Sequence, residues 1–193
     1  MASYQFIAGV DEVGRGPLAG AVYAAAVVLD AKIEIEGLRD SKKLSAKQRE
    51  ILDKEIRAGS VAYSIAQASV EEIDEINILQ ASMLAMVRAV DQLKVKVDFA
   101  FVDGNRSPVF YCPSEWVIKG DDKVDSIKAA SIIAKVARDK EMRRLDKLYP
   151  EYGLAQHKGY PTLAHRAALK KYGVSPIHRL TFGPCRDLFK RKY

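Results

Sequence analysis

Five acidic residues fall at the ends of apolar runs. Asp11 and Glu12 follow residues 6–10, Asp103 follows residues 97–102, and Asp121 and Asp122 follow residues 116–120. Two adjacent carboxylates are costly to desolvate unless a cation or hydrogen bonds offset their charge. A single Asp-Gly pair such as Asp103-Gly104 marks only a turn. Three acidic run-ends in one chain point to a shared site, because sites in sheet proteins gather at strand ends. If these strands are neighbours with aligned ends, three or four carboxylates converge and repel one another without cations. Oxygen-only ligands select hard ions, Mg2+ or Mn2+. Two such ions about 4 Å apart are the standard apparatus of phosphodiester hydrolysis. Gly14-Arg15-Gly16-Pro17 follows the first acidic pair, and its glycines let the backbone approach a ligand closely. The combination predicts a divalent metal beside a bound phosphodiester. Adjacent strand residues point to opposite faces. Hence either the strand has ended by Glu12, or Glu12 offers its carbonyl or reaches around through the loop.

The elements that must carry these acids follow from hydrophobic pattern and turn chemistry. Residues 7–11 read as a buried strand. Residues 20–29 (GAVYAAAVVL) read as a second, and the short turn between them predicts an antiparallel hairpin. Ser45-x-x-Gln48 is a capping-box pattern that opens a helix to about residue 58, stopped by Gly59. Residues 60–68 return as a strand. Ser69-x-x-Glu72 opens a second helix, running to about residue 93 with a break near Asn77. Strands follow at 97–102 and 116–119. Asp125 then caps a long helix with Ile127, Ala130, Ala134, Ala137, Leu145 and Leu148 on one face, closed by Pro150. The order predicts an α/β chain with a mixed sheet of about five strands flanked by helices.

The 193 residues, 48% hydrophobic and 29% charged, suit one compact domain over 1–193 with a real core. Residues from about 151 onward read as a small, basic helical extension. No run reaches transmembrane length, and no basic start leads into an apolar stretch as in a secretory leader. Cys112 and Cys185 belong to no CxxC pair and fit a reducing cytosol as inert small hydrophobes. A monomer is the default. Residues 151–193 hold nine basic residues and two acids, net +7 against +6 for the whole chain, together with His157, His165 and His178. A basic segment on a near-neutral body reads either as a polyanion footprint or as a solvated face. Ser41, Lys42 and Lys43 lie just before a helix start and suit phosphate contacts. Lys119, Ser126 and Lys128 are further candidates, and surface solvation accounts for each lysine equally well.

Six stretches stand out together: residues 9–20 (GVDEVGRGPLAG), 40–45 (DSKKLS), Asp103-Gly104, Lys119-Gly120-Asp121, 129–139 (AASIIAKVARD) and 157–162 (HKGYPT). In these stretches and their order the chain resembles bacterial ribonuclease HII, a type 2 ribonuclease H. Ala21, Tyr23 and Lys128 depart from its pattern without touching the acids. The resemblance implies an RNase H-like fold and an endonuclease acting on RNA in RNA–DNA hybrids and on single ribonucleotides in duplex DNA. It places Asp11, Glu12, Asp103 and Asp121 on the family's metal-binding acids. Gly14, Arg15 and Gly16 fall on the loop that senses the ribose 2′-hydroxyl. Tyr160 falls on the tyrosine that packs against the sugar at the RNA–DNA junction, and Asp122 is left as a solvated neighbour.

The 2′-hydroxyl both donates and accepts hydrogen bonds, so main-chain groups of the glycine loop can read it. Attack by metal-activated water would leave 5′-phosphate and 3′-hydroxyl ends. The basic tail alone suits a non-catalytic nucleic-acid-binding module, which leaves the acids unexplained. A DNA junction resolvase would not need the glycine loop or Tyr160. A histidine ribonuclease using the 2′-hydroxyl as nucleophile would work in chelator. The three histidines are assigned structural or phosphate roles instead, because the acids already account for hydrolysis.

Overall fold

The computed structural model describes residues 4–189, so the Lys190-Arg191-Lys192 end of the basic segment lies outside the described residues. Five strands form one sheet: β1 (Ile7–Val13), β2 (Val22–Leu29), β3 (Ser60–Ala68), β4 (Phe99–Asp103) and β5 (Ser114–Val117), in the order β3-β2-β1-β4-β5. β1 pairs antiparallel with β2, and β2 with β3. β4 lies parallel to β1, and β5 parallel to β4. The C-terminal ends of β1 and β4 are therefore side by side, which brings Asp11, Glu12 and Asp103 together.

Strand alternation sends alternate residues to opposite helices. Ala8, Val10, Ala24 and Ala26 pack with Ala81, Ala85 and Ala89 of α2 (Val70–Asp91). Ala25 and Val27 pack on the other face with Ala130, Ile133 and Ala134 of α4 (Asp125–Leu148). α1 (Ala46–Gly59) packs beside α4 and against β3, and adds Leu52 and Ile56 to the same cluster. The run of small residues in β2 allows helices to sit close on both sides. Gly9 shows how close. A Cβ there would stand 2.1 Å from the main-chain carbon of Ser126, at the start of α4. Gly9→Ala is expected to destabilise the fold by about 3 kcal/mol or more, read as the loss of melting temperature in a thermal denaturation. A wild-type melting temperature would refute the close approach.

Both capping boxes are present, Ser45 with Gln48 and Ser69 with Glu72. The break near Asn77 is real. Asn77 leaves the helical conformation (φ 68°, ψ 163°), and its side-chain oxygen accepts from the N–H groups of Leu79 and Gln80. It thus recaps the second half of α2. Three expectations are corrected. Asp125 is the first residue of α4 and not its cap; that position belongs to Val124, which gives no side-chain bond. Leu148 is exposed on the last turn. The last strand is Ser114–Val117, and Asp121 lies not at its end but on α3 (Gly120–Lys123), a single turn of helix.

Beyond α4 come a turn at Pro150–Tyr152, α5 (Leu154–His157), α6 (Leu163–Tyr172) and α7 (Gly183–Phe189). Leu154, Leu169 and Cys185 of this segment pack on Leu18, Ala19, Met142 and Leu145. An isolated bridge joins Ala19 to His178. The C-terminal segment is thereby fastened directly to the stretch after the glycine loop.

Candidate active site

β1 does not end before Glu12. It runs to Val13, with Asp11 paired to Ala25 and Glu12 to Ala24. Asp11 therefore faces α4, where Ser131 hydrogen-bonds its carboxyl group. Glu12 continues the row of Ala8 and Val10 toward α2. At the strand end the two side chains still reach one space. Asp11, Glu12 and Asp103 line a cavity of about 330 Å3, together with Ser41, Lys42, Ser131, Lys135 and Tyr160. A second hollow of about 240 Å3 opens from Glu12 and Asp103 on the α2 side, toward Arg15, Asn105 and Arg106.

Asp121 reaches the group through a turn. Lys119 adopts the left-handed conformation (φ 56°), starting α3 so that the Asp121 N–H donates to Asp103 Oδ1 at 3.2 Å. The observed contribution of Lys119 is this backbone turn, and its side chain is exposed. The Lys42 ammonium donates to Asp121 Oδ2 at 2.8 Å, and Lys43 pairs with the exposed Asp122 at 2.7 Å. Ser41–Lys43 is a separate helical turn capped by Asp40, while Ser45 caps α1. The N–H groups of α1 thus have their own partner. Ser41 is buried, its hydroxyl 2.9 Å from that of Ser131.

The electrostatics are those of crowded acids. Burial raises the Asp11 pKa well above the ordinary carboxylate value, with Glu12 and then Asp103 adding repulsion. Glu12 is raised by burial, partly countered by Arg15, whose guanidinium stands 3.4 Å away. Asp103 is raised mainly by burial, against a hydrogen bond from Asp121. The donor set is all oxygen and suits a hard divalent ion. The side chains do not yet close on one point. Among the described residues, no three carboxyl, imidazole or thiol groups stand close enough to hold an ion as they are, and the Lys42 ammonium supplies the positive charge at Asp121.

The glycine loop is built from behind. Gly14 has φ +100°, and a Cβ there would fall 2.3 Å from Arg138 Nε. Arg138 is fully buried and donates to the carbonyls of Ala19, Ala21 and Lys158. Arg179, also fully buried, donates to the carbonyls of Gly14, Arg15 and Gly20. The Gly14 and Arg15 acceptors are thus already engaged. The Tyr160 ring stands over Gly16, its Cε1 3.5 Å from where a Cβ would be, and the Arg138 guanidinium lies 6.0 Å from its centroid.

Sequence reasoning gave no role to Ser131, Arg138 or Arg179. Ser131 lies four residues after Ile127, and Arg138 four after Ala134, on the helix's apolar stripe; that spacing is the signal they carried. Arg179 sits among basic residues and gave none. Its charge faces inward, so the basic tail is not a uniform outer footprint. None of the three histidines lines the carboxylate cavity.

A mixed five-stranded sheet flanked by helices, with acids gathered at its central strand ends, defines an RNase H-like protein, and solved structures of that fold superpose on this chain. The model of the family described as Ribonuclease HII matches residues 8–185, and the chain belongs to that family. It is similar to the ribonuclease H2 from Pyrococcus horikoshii OT3 at 31% identity and a TM-score of 0.80, over 97% of this chain and 98% of that one. It is similar to the RNase HII of a PCNA:RNase HII complex from Archaeoglobus fulgidus at 28% identity and 0.78, over 93% and 96%. The fold extends to Bst-RNase HIII, solved in complex with Mn2+, at 17% identity and 0.69, over 96% and 70%. Family membership makes the chain a nuclease, a hydrolase acting on nucleic acid.

Proposed function

We propose that this chain is an endoribonuclease of the bacterial HII type. It cuts the RNA strand of RNA–DNA hybrids and incises duplex DNA on the 5′ side of single ribonucleotides, leaving 5′-phosphate and 3′-hydroxyl ends. Its work is ribonucleotide removal in DNA replication and repair, as a monomeric protein of the cytosol. The observation that carries this reading is one cavity lined by three carboxyls, that of Asp11 buried and those of Glu12 and Asp103 half-buried, with Tyr160 at its rim beside the glycine loop.

Asp11, Glu12, Asp103 and Asp121 are the residues that would hold two divalent ions, Mn2+ or Mg2+. Bound there, such ions supply Lewis acidity for the attacking water and for the departing 3′-oxygen. The chain's own groups do the rest. The carboxylates fix the charge and exclude replacement by neutral amides. Lys42, once released from Asp121, is placed to hold a phosphate oxygen. The Tyr160 ring packs on a sugar. The loop N–H groups at Gly14–Gly16, with the Gly14 and Arg15 carbonyls held by Arg179, offer donors to the 2′-hydroxyl.

The test is a DNA duplex with one ribonucleotide, incubated with Mn2+ or Mg2+ beside an all-DNA control. One cut 5′ to the ribonucleotide, absent in chelator, is the expected result. Equal cutting of the all-DNA duplex would remove the 2′-hydroxyl reading, and cutting that persists in chelator would remove the metal.

A further inference from the structure

Two turns of the C-terminal segment, 13 residues apart, meet behind the cleft through a pair of buried imidazoles. His165 and His178 are almost wholly buried, and their Nε2 atoms stand 3.1 Å apart. The surrounding groups fix which nitrogen carries each proton. His165 Nδ1 lies 3.1 Å from the Gly159 carbonyl and 3.0 Å from that of Tyr160. Carbonyls only accept, so His165 carries its hydrogen on Nδ1 and its Nε2 is an acceptor. His178 Nδ1 receives the Ser175 N–H at 3.1 Å and lies 2.9 Å from the Ser175 hydroxyl. His178 therefore carries its hydrogen on Nε2 and donates it to His165. Every ring nitrogen is satisfied with both rings neutral. A proton added to either ring sets two donors against each other, across the pair or against the Ser175 N–H.

What the pair joins gives it meaning. His165 holds the carbonyls of Gly159 and Tyr160, and so the backbone under the tyrosine ring. His178 precedes Arg179, whose guanidinium holds Gly14, Arg15 and Gly20. The His157 ring stacks on His165 at 4.5 Å and accepts from the Gly159 N–H, so it braces the same segment. We propose that His165 and His178 are positioning residues for ribonucleotide recognition, their Nε2–Nε2 hydrogen bond setting the Tyr160 ring and the Gly14–Gly16 loop at a fixed separation. This rests on the reading of Tyr160 and the loop as the ribose-reading elements. Burial favours neutral rings: it lowers the His165 pKa and takes His178 to about 4.

The pair leaves the four acids alone, so its loss strikes selectivity ahead of hydrolysis. The readout is the ratio of kcat/KM on a single-ribonucleotide duplex to kcat/KM on an RNA–DNA hybrid. His178→Ala is expected to lower this ratio about tenfold, since an ångström of misplacement is worth that or more. His178→Gln keeps a donor facing His165 and is expected to restore most of the ratio, which a purely structural defect would not allow. Nitrogen-resolved NMR of the wild-type protein should show hydrogen on His165 Nδ1 and on His178 Nε2. An unchanged ratio in folded His178→Ala, or the opposite tautomers, overturns the inference and leaves the proposed activity standing. A wild-type enzyme with no cut at the single ribonucleotide overturns that activity, and with it this role for the pair. If His178→Ala does not fold, the His178→Gln ratio and the tautomers decide.

Discussion

Asp11→Asn is expected to abolish turnover and, in chelator, to raise the melting temperature. The two effects have one cause. Asp11 is buried among like charges, and its folded pKa is well above its unfolded value. A carboxyl in that state is unfavourable wherever it must ionise in the fold. As the pH falls through its folded pKa it takes up a proton before the unfolded chain does, and the strain is relieved. This runs opposite to the acid loss shown by a paired carboxylate. Asn removes the charge at all pH values yet keeps an oxygen for the Glu12 N–H, which donates to Asp11 Oδ1 at 2.7 Å. The gain should be about 1–3 kcal/mol, each kcal/mol being about 2–4 °C in a chain of this length. Turnover should fall by about 10³-fold or more, as when one member of a cooperating catalytic set is lost. Melting curves with and without divalent metal, beside a cleavage assay, check both. A variant that melts lower in chelator, or still cleaves, contradicts the assignment.

The second large effect is on stability. Arg179 is buried, and among the described residues no carboxylate stands in salt-bridge contact with it. Burial takes its pKa down to about 9, so it is still charged at neutral pH. Its charge is met by carbonyl dipoles: Gly20 at 2.9 and 2.7 Å, Arg15 at 2.9 Å, Gly14 at 2.6 Å. Arg179→Met fills the space but leaves three carbonyls without donors. Each buried unsatisfied acceptor costs about 1–3 kcal/mol, so a loss of about 3–5 kcal/mol is expected. Arg179→Lys should recover little, since one ammonium cannot reach three carbonyls as a planar fork does. Urea denaturation of the three proteins measures this directly. A loss under about 1 kcal/mol in Arg179→Met would show that water replaces the guanidinium without penalty.

The features legible in the sequence were local ones. Ser45 with Gln48 and Ser69 with Glu72 announce helices because the capping partners lie within one turn. Asn77 announces a break because its own side chain recaps the next turn of helix. The acids at 11, 12 and 103 were legible because apolar runs end there, and parallel β1 and β4 bring those ends together. Asp121 was found as an acid but misplaced, since its turn depends on Lys119 adopting a conformation that side chains rarely take. Ser41 reads as a phosphate ligand from its place before a helix start; it lines the cavity, its hydroxyl 2.9 Å from that of Ser131. Arg138 and Arg179 were invisible as builders of the glycine loop because the carbonyls they hold there lie more than 100 positions away in the chain.

That distance has a consequence for how the protein is made. The four acids and the helices behind them are all present once residue 148 has been synthesised. The loop at 14–20 leaves the ribosome well ahead of Gly159, His178 and Arg179, yet it waits for them. At about 5–20 residues per second, the interval is on the order of ten seconds. Closing so long a segment is also entropically slow. During synthesis the residues of the acidic site are therefore all present before the glycine loop has the partners that hold its carbonyls, so the loop takes its final shape later than the strands beside it.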